Sequence, residues 1–305
     1  MRLRLGTRGS RLALVQAASV ADGLAALGVE TEVIVIRTSG DRLAQVALAD
    51  FGGKALFVKE IEEALVENRI DVGVHSLKDV PGLLPPGLCL AAFPRREDPR
   101  DSLITRGEHS LHDVPTGATV GTSSLRRRVL LLSRRPDLRV EPIRGNVETR
   151  LAKLGSGTYD ALLLAQAGLD RLGLQPAHTT ALPVDEFVPA VGQGILGIEV
   201  REDAKEAREL VSRLDDARTR IEAVAERAFL GRLGAGCHTP VAGHARLDGE
   251  ALTVTGVVAS LDSTTLLRSS IGGLAASAES LGEKLAEELL ARGARALLES
   301  GGGRA

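Results

Sequence analysis

Apolar positions recur along this chain at two spacings, and the way they alternate fixes an order of elements. Residues 2–5 alternate polar and apolar and read as a strand. Thr7-Arg8-Gly9-Ser10 then turns into a predicted helix with Leu14, Ala17, Ala21 and Leu24 on one face, ending near Gly28. Residues 33–36 read as a second buried strand, and 38–50, which have no clear period, as a loop. Gly52-Gly53-Lys54 leads into a helix expected to bury Phe57, Ile61, Ala64 and Leu65. The run Val72-Gly73-Val74 is that of a buried parallel strand. Pro81 cannot continue a ladder, so His75, Ser76, Lys78 and Asp79 fall at or just past the strand's C-terminal end. With a further strand at 88–92, the β-α-β-α-β order predicts a mostly parallel sheet with right-handed crossovers.

Residues 95–99 are charged, end in Pro and read as a crossing to a second α/β unit. Its predicted strands are 118–120, 138–141 and 159–165, and its helices 124–135 and 147–154. Pro189-Ala190-Val191-Gly192-Gln193-Gly194 reads as the return crossing, followed by a strand at 195–200 and a helix at 204–214 that rejoin the first unit. Two crossings between two lobes leave a cleft, the usual place for a ligand. From about Ala217 the pattern changes to a helix at 221–230, strands at 244–247, 251–259 and 264–271 with a hairpin signal at Asp248-Gly249, and a final helix carrying Leu281, Leu285 and Leu289 on one face. Residues 301–305 read as a disordered tail.

Composition narrows the class of function. A net charge of -2 argues against a general polyanion binder, so any anion site is a local cluster. With 2% aromatic residues and no Trp, base-stacking platforms are not expected, and no nucleic-acid partner is. No apolar run is long enough for a transmembrane helix, the N-terminus lacks a signal-peptide core, and two cysteines, Cys89 and Cys237, fit a reducing cytoplasm. The six histidines offer neither Hx3H nor HExxH spacing, so no metal site is expected.

The candidate chemistry lies at strand-to-helix turns. In Gly121-Thr122-Ser123-Ser124-Leu125-Arg126-Arg127-Arg128 the hydroxyls suit an N-cap, but cations in a first helical turn oppose the macrodipole. The segment is therefore either a solvated basic face or an anion pocket of N–H groups, hydroxyls and guanidinium forks. Arg8 with Ser10, and Arg144-Gly145-Asn146 with Arg150, repeat the arrangement. Cations at turns of both lobes would face one cleft, which favours a small ligand with several negative charges. Lys54 follows two glycines but not in P-loop spacing. Lys78 beside Asp79 is either an ion pair or chemistry. Cys237 sits in a Gly-rich turn before His238, and is either a small buried side chain or a reactive thiol.

These motifs, in order, resemble one family. T-R-G-S-R-L-A-L-V-Q, G-G-K-A-L-F-V-K-E, H-S-L-K-D-V-P, G-T-S-S-L-R-R, R-G-N-V-E-T-R-L, A-x-A-G-L-x-R-L-G, P-A-V-G-Q-G and the Gly-flanked Cys237 are similar to the porphobilinogen deaminases, also called hydroxymethylbilane synthases, over essentially the whole chain. Asp50 departs from the pattern, standing where some relatives carry Lys.

The resemblance implies two periplasmic-binding-protein-like α/β lobes, at 1–94 with 195–214 and at 100–188, and a C-terminal α+β domain at 217–305 with a three-stranded antiparallel sheet. It implies a transferase that joins four porphobilinogen molecules head to tail with loss of ammonia, and releases hydroxymethylbilane by hydrolysis; a monomer is expected because no exposed apolar repeat is visible. It implies a dipyrromethane cofactor held as a thioether on Cys237, Asp79 as catalytic carboxylate, and cofactor contacts from Ser76, Lys78, Thr122, Ser124, Arg126, Arg127, Arg144, Asn146 and Gln193. Arg8, Ser10, Lys54, Arg144, Arg150 and Arg171 match side chains that bind substrate. Two other classes fit parts of the sequence. A non-catalytic two-lobed anion-binding protein would need the arginines but neither Asp79 nor Cys237. A DNA-binding regulator would need a helix-turn-helix signature that is not evident.

Overall fold

Strand β1 (Arg2–Arg8) carries the first alternation three residues further than expected, to the edge of the Ser10 turn. The Ser10 hydroxyl accepts from the Ala13 N–H (3.3 Å) and caps helix α1 (Arg11–Ala26). The protein is described by a computed structural model over residues 2–38, 58–235 and 239–299. The buried stripe of α1 is Ala13, Gln16, Ala17, Val20 and Leu24, one position round from the predicted face, and Leu14 is 38% exposed. A polar residue turns the helix: Gln16 must face inward, because its side chain bonds the Ser76 hydroxyl (3.0 Å). Strand β2 (Glu30–Ile36) is not buried as expected. Among the described residues it pairs only with β1, at the sheet's edge, and Val33 and Val35 are exposed. Helix α2 (Lys59–Val66) buries Ile61, Ala64 and Leu65 as expected, whereas Phe57, Lys54, Asp50 and nearly all of the 38–50 loop lie outside the described residues. Strands β3 (Val72–Ser76) and β4 (Leu88–Ala92) complete this part of the chain.

The crossing at 93–100 leads to a strand that the sequence pattern missed, β5 (Asp101–Thr105). Then come β6 (Thr119–Gly121), α3 (Leu125–Leu132), β7 (Arg139–Glu141), α4 (Val147–Gly155), β8 (Ala161–Ala165), a short helix α5 (Gln166–Arg171) and β9 (Thr179–Ala181), the last two also unpredicted. The chain returns through β10 (Leu196–Arg201) and α6 (Lys205–Ser212).

The described strands of these two units form two five-stranded sheets, in the orders β2-β1-β3-β10-β4 and β7-β6-β8-β5-β9. The two sheets are built alike: a parallel trio, an antiparallel strand beside it, and a fifth strand outside. The sheets are therefore mixed rather than mostly parallel. β10 runs antiparallel to β3 and β4, and β5 to β8 and β9, because these two strands begin or end at the crossings and enter their sheets from the other lobe. Leu3, Leu5, Val72 and Ile198 form the core of the first sheet, and Leu103, Val120, Leu163 and Phe187 that of the second.

In the C-terminal part, Asp216 caps α7 (Ala217–Leu233), and Gly234 closes it in the left-handed region (φ 66°). Strands β11 (Val241–Asp248), β12 (Ala251–Ala259) and β13 (Leu266–Leu274) form the expected antiparallel sheet, with Gly249 at the hairpin. Helix α8 (Ala278–Ala291) buries Leu281, Leu285 and Leu289 against it, and α9 (Ala294–Glu299) follows. Residues 301–305, read as a tail, lie outside the described residues.

Candidate active site

The C-terminal ends of the parallel strands converge on the space between the lobes, as the open α/β arrangement requires. From the first lobe β1 delivers Arg8 and Ser10, and β3 delivers Ser76 and the single helical turn Leu77–Asp79, which holds Lys78 and Asp79. From the second lobe, the β6–α3 turn brings Ser123 and Arg127, the loop before α4 brings Arg144 and Asn146, and α4 and α5 bring Arg150 and Arg171. All of these line one cleft of about 430 Å³. Its charged walls hold Arg8, Lys78, Arg127, Arg144, Arg150 and Arg171 against the carboxylates Asp79 and Glu148, an excess of positive charge suited to a polycarboxylate.

A second cavity of about 220 Å³ adjoins it, sharing Lys78, Asp79 and Arg127 and adding Ser124, Arg126, Gln193 and, from the C-terminal part, Leu230, Thr239 and Val241. Of the residues expected in the site, Thr122 lines neither cavity. It is buried behind the start of α3, where its hydroxyl accepts from the Ser124 N–H (3.2 Å). Cys237 and Lys54 lie outside the described residues.

The turn bearing Lys78 and Asp79 is held by the return crossing. The Leu77 N–H donates to the Ile195 carbonyl (2.9 Å). Gly192 (φ 72°) packs against Leu77 so closely that a Cβ there would lie 2.8 Å from Leu77 Cγ. Gly194 (φ 87°) would place a Cβ 2.5 Å from the Glu97 carbonyl oxygen. The glycines of P-A-V-G-Q-G thus combine a left-handed backbone with close approach, which a side chain would forbid. Glu226 of α7 accepts from the Gly192 N–H (2.6 Å) and from Arg96 (2.7 Å), tying both crossings to the C-terminal part.

Behind the arginines is a carboxylate that sequence reasoning did not single out. Asp101, fully buried at the start of β5, accepts from both terminal nitrogens of Arg126, from Arg127 Nε (2.8 Å) and from Gln193 Nε2 (3.0 Å). Burial alone would raise its pKa, but Arg126 and Arg127 outweigh that and hold it far below the usual carboxylate range. Arg126 also donates to the Val188 carbonyl and Arg127 to the Leu163 carbonyl (2.9 and 3.0 Å). This explains cations in the first turn of α3. Arg126 and Arg127 are buried and anchored from below rather than solvated, Arg128 is exposed, and Ser124, not a charge, caps the helix.

Lys78, Arg150 and Arg171 are tuned by burial. It pulls Lys78 down to about 8, aided by Arg127 and opposed by Asp79 and Asp101. Arg150 falls to about 10 through burial and Arg127, while its Nε donates to the Gly145 carbonyl (2.9 Å). Arg171 is lowered by burial and donates to the Gly194 carbonyl (2.7 Å). Ser10 and Asn146 each cap a helix at the cleft's rim, Asn146 accepting from the Thr149 N–H (2.8 Å). Gln16, Ser123 and Glu148 also line the cleft and were not foreseen. A polar residue interrupting an apolar stripe was the available signal for Gln16.

Beneath the floor lies a buried trio, His75, Glu199 and Glu62. Burial first, and Glu199 second, push the Glu62 carboxyl up to about 7 from its ordinary 4.5. A carboxyl whose folded pKa exceeds its unfolded one weakens the fold as pH climbs from about 4.5 to about 7, and the loss persists above that. We therefore expect Glu62→Gln to be more stable than the parent at pH 8, by about 2–4 kcal/mol, and nearly equal to it at pH 4.5. Thermal melts at the two pH values read this directly, and an unchanged difference between them would refute it.

The residues present suit a carboxylate-bearing group. Arg126 lines the second cavity, and its buried Nε has no acceptor among the described residues. Among the described residues no cluster of His, Cys, Asp or Glu could hold a metal ion, and no helix is long and apolar enough to cross a membrane.

Residues 3–209 match the family described as "Porphobilinogen deaminase, dipyromethane cofactor binding domain", and residues 220–291 match "Porphobilinogen deaminase, C-terminal domain". The porphobilinogen deaminase of Syntrophobacter fumaroxidans is 48% identical over 299 residues, covering 97% of each chain. That of Syntrophotalea carbinolica is 50% identical over 298 residues, covering 97% of this chain and 95% of its own. Among solved structures, a periplasmic substrate-binding protein of an ABC transporter from Coxiella burnetii is 16% identical with a TM-score of 0.43, covering 70% of this chain and 91% of that one. With family matches across both parts of the chain and relatives near half identity over almost its whole length, the chain belongs to the porphobilinogen deaminase family.

Proposed function

We propose that Asp79 is the carboxylate that drives this family's reaction here, and that Cys237 carries the dipyrromethane through a thioether. The observation that carries the reading is the position of Asp79. It lines both cavities, with the cationic cleft on one side and, on the other, a space reaching Thr239, two positions after Cys237 in sequence. When bound, the dipyrromethane supplies the pyrrole α-carbon from which the chain grows. Its carboxylates would be held by Arg126, Arg127 and Arg144, with Lys78, Ser76, Ser124, Asn146 and Gln193 beside them and Thr122 supporting the turn. Arg8, Ser10, Arg150, Arg171 and Lys54 would take the acetate and propionate of the incoming porphobilinogen, because guanidinium forks bind carboxylates bidentately.

Asp79 then works by charge and by proton transfer. Loss of ammonia from the incoming molecule leaves a cationic ring, and a carboxylate accepting its pyrrole N–H stabilises that charge as it develops. After carbon–carbon bond formation, the same carboxylate accepts the α-proton released as the ring regains aromaticity. The pyrrolic chain gains two negative charges per step, which is what the excess of cleft cations offsets.

The same reading divides the labour along the chain. Residues 1–94 with 195–214 present Asp79, 100–188 most of the arginines, and 217–305 the anchor. It also has the protein work as a cytoplasmic monomer.

The test is the intact mass of the purified protein against its sequence mass, before and after incubation with porphobilinogen. We expect a surplus of two deaminated porphobilinogen units, mapped by digestion to Cys237 and absent from Cys237→Ser, with further single-unit steps after incubation. A bare mass that stays bare would overturn the reading.

A further inference from the structure

Three buried ionisable side chains, His75, Glu199 and Glu62, lie between the first sheet and α2, none of them used by the reaction as described. In the β3–β10 ladder His75 stands opposite Gly197, and Glu199 opposite Gly73, so both side chains project from the same face. Gly73 makes the room. A Cβ at Gly73 would lie 2.8 Å from His75 Nε2 and 3.0 Å from Ile61 of α2. In that space His75 Nε2 meets Glu199 Oε2 at 2.9 Å, with Glu199 fully buried and His75 4% exposed. A single proton between the two closes that hydrogen bond. Glu62 of α2 is close enough to feel both charges. One oxygen of Glu199 and one of Glu62 are buried with no hydrogen-bond partner among the described residues.

Such an arrangement does not serve stability. Buried polar atoms without partners weaken a fold, and buried ion pairs are often matched or bettered by well-packed apolar side chains. It does sit at one particular place. His75 lines the floor of the cleft, and the next residues are Ser76 and the turn holding Lys78 and Asp79. The return crossing also restrains that turn, and β10 continues directly from that crossing, so Glu199 ties the end of β3 to the segment that packs on Leu77.

We propose that Glu199 is a positioning residue for the reaction: through His75 it fixes the end of β3, and so sets where Lys78 and Asp79 stand in the cleft. The proposal rests on Asp79 being the catalytic carboxylate, as argued above. An imidazole clamped at Nε2 cannot swing about its Cα–Cβ bond, and displacements of about 1 Å in a reacting group are costly. Such a shift acts on the chemical step more than on carboxylate binding, which is spread over many arginines.

The experiment compares Glu199→Gln, which keeps an acceptor for Nε2–H at the same size, with Glu199→Leu, which removes it. Both are purified as cofactor-loaded enzyme, verified by intact mass. We expect the Gln variant to keep kcat within about threefold of the parent. We expect the Leu variant to lose at least tenfold in kcat, while KM for porphobilinogen stays within about twofold and the cofactor is fully loaded, even though the unpaired His75 lowers the melting temperature. A Leu variant with parental kcat overturns the proposal. So does parallel loss of kcat, KM, loading and melting temperature in the Leu variant, which marks a merely structural role. Should Glu199→Leu not accumulate as folded holoenzyme, His75→Asn decides by the same criteria, and failure of both to fold also overturns it. A parent enzyme without turnover would instead refute the assignment of the reaction, a result the variants cannot mimic.

Discussion

Asp101→Asn will purify with little or no cofactor and melt well below the parent. The carboxylate has no exposure and holds Arg126, Arg127 and Gln193 at once. An asparagine of the same shape offers one oxygen where there were two, and turns an NH2 group toward guanidinium donors. Two buried cations then face each other without their shared anion. Removing one member of a buried ionic cluster costs about 3–5 kcal/mol. For a chain of this length that is a fall of roughly 5–10 °C in the melting midpoint.

The functional loss has a separate cause. Arg126 and Arg127 are aimed because Asp101 and the carbonyls of Val188 and Leu163 fix their forks from behind. Without the carboxylate, one carbonyl each is a looser hold on the forks, and the group they would bind loses part of its pre-arranged partners. Intact mass and a thermal melt on the same sample measure both effects. A fully loaded variant melting with the parent would show that the carbonyls alone suffice, and that Asp101 is dispensable.

What the sequence made legible, and what it hid, follows from how local each signal is. The C-terminal sheet was readable because its pairing is sequential: Asp248-Gly249 turns one strand directly into the next, and Gly249 has the positive φ that such a turn demands. The cleft residues were readable because they belong to short motifs at strand ends, where spacing and residue type carry the meaning.

The mixed character of both sheets was hidden, because β10 and β5 enter from the other lobe and nothing near them in sequence states which neighbours they will find. Asp101-Ser102-Leu103-Ile104-Thr105 is also a weak strand signal, directly following a charged, Pro-bearing segment. With the strand missed, its first residue was missed too, and so was the anchor of the two arginines. The contact joins residues 25 and 26 positions apart, a separation that no periodicity reports. The α1 stripe was misplaced by one position for a similar reason, since Gln16 faces inward to meet Ser76, 60 residues away.

Asp79→Asn will keep its cofactor and lose about a thousandfold in kcat. The amide is isosteric and still accepts one hydrogen bond, so binding of porphobilinogen, which depends on the arginines, should change KM by no more than about threefold. What disappears is the negative charge facing a ring that turns cationic, together with a base for the α-proton. Either effect alone is worth about 10²–10³-fold in other enzymes, and here both reside in one carboxylate. A thousandfold corresponds to about 4 kcal/mol of transition-state stabilisation. The cofactor survives because it is made once, whereas turnover repeats. From an ordinary kcat of about 10 s⁻¹, the residual rate would be about one event in a hundred seconds, ample for loading during expression. The informative pairing is therefore a full two-unit mass surplus with a collapsed kcat. Parental turnover in the loaded variant would remove Asp79 from the chemistry. A variant that is bare as well as inactive would assign Asp79 to holding the cofactor rather than to the reaction.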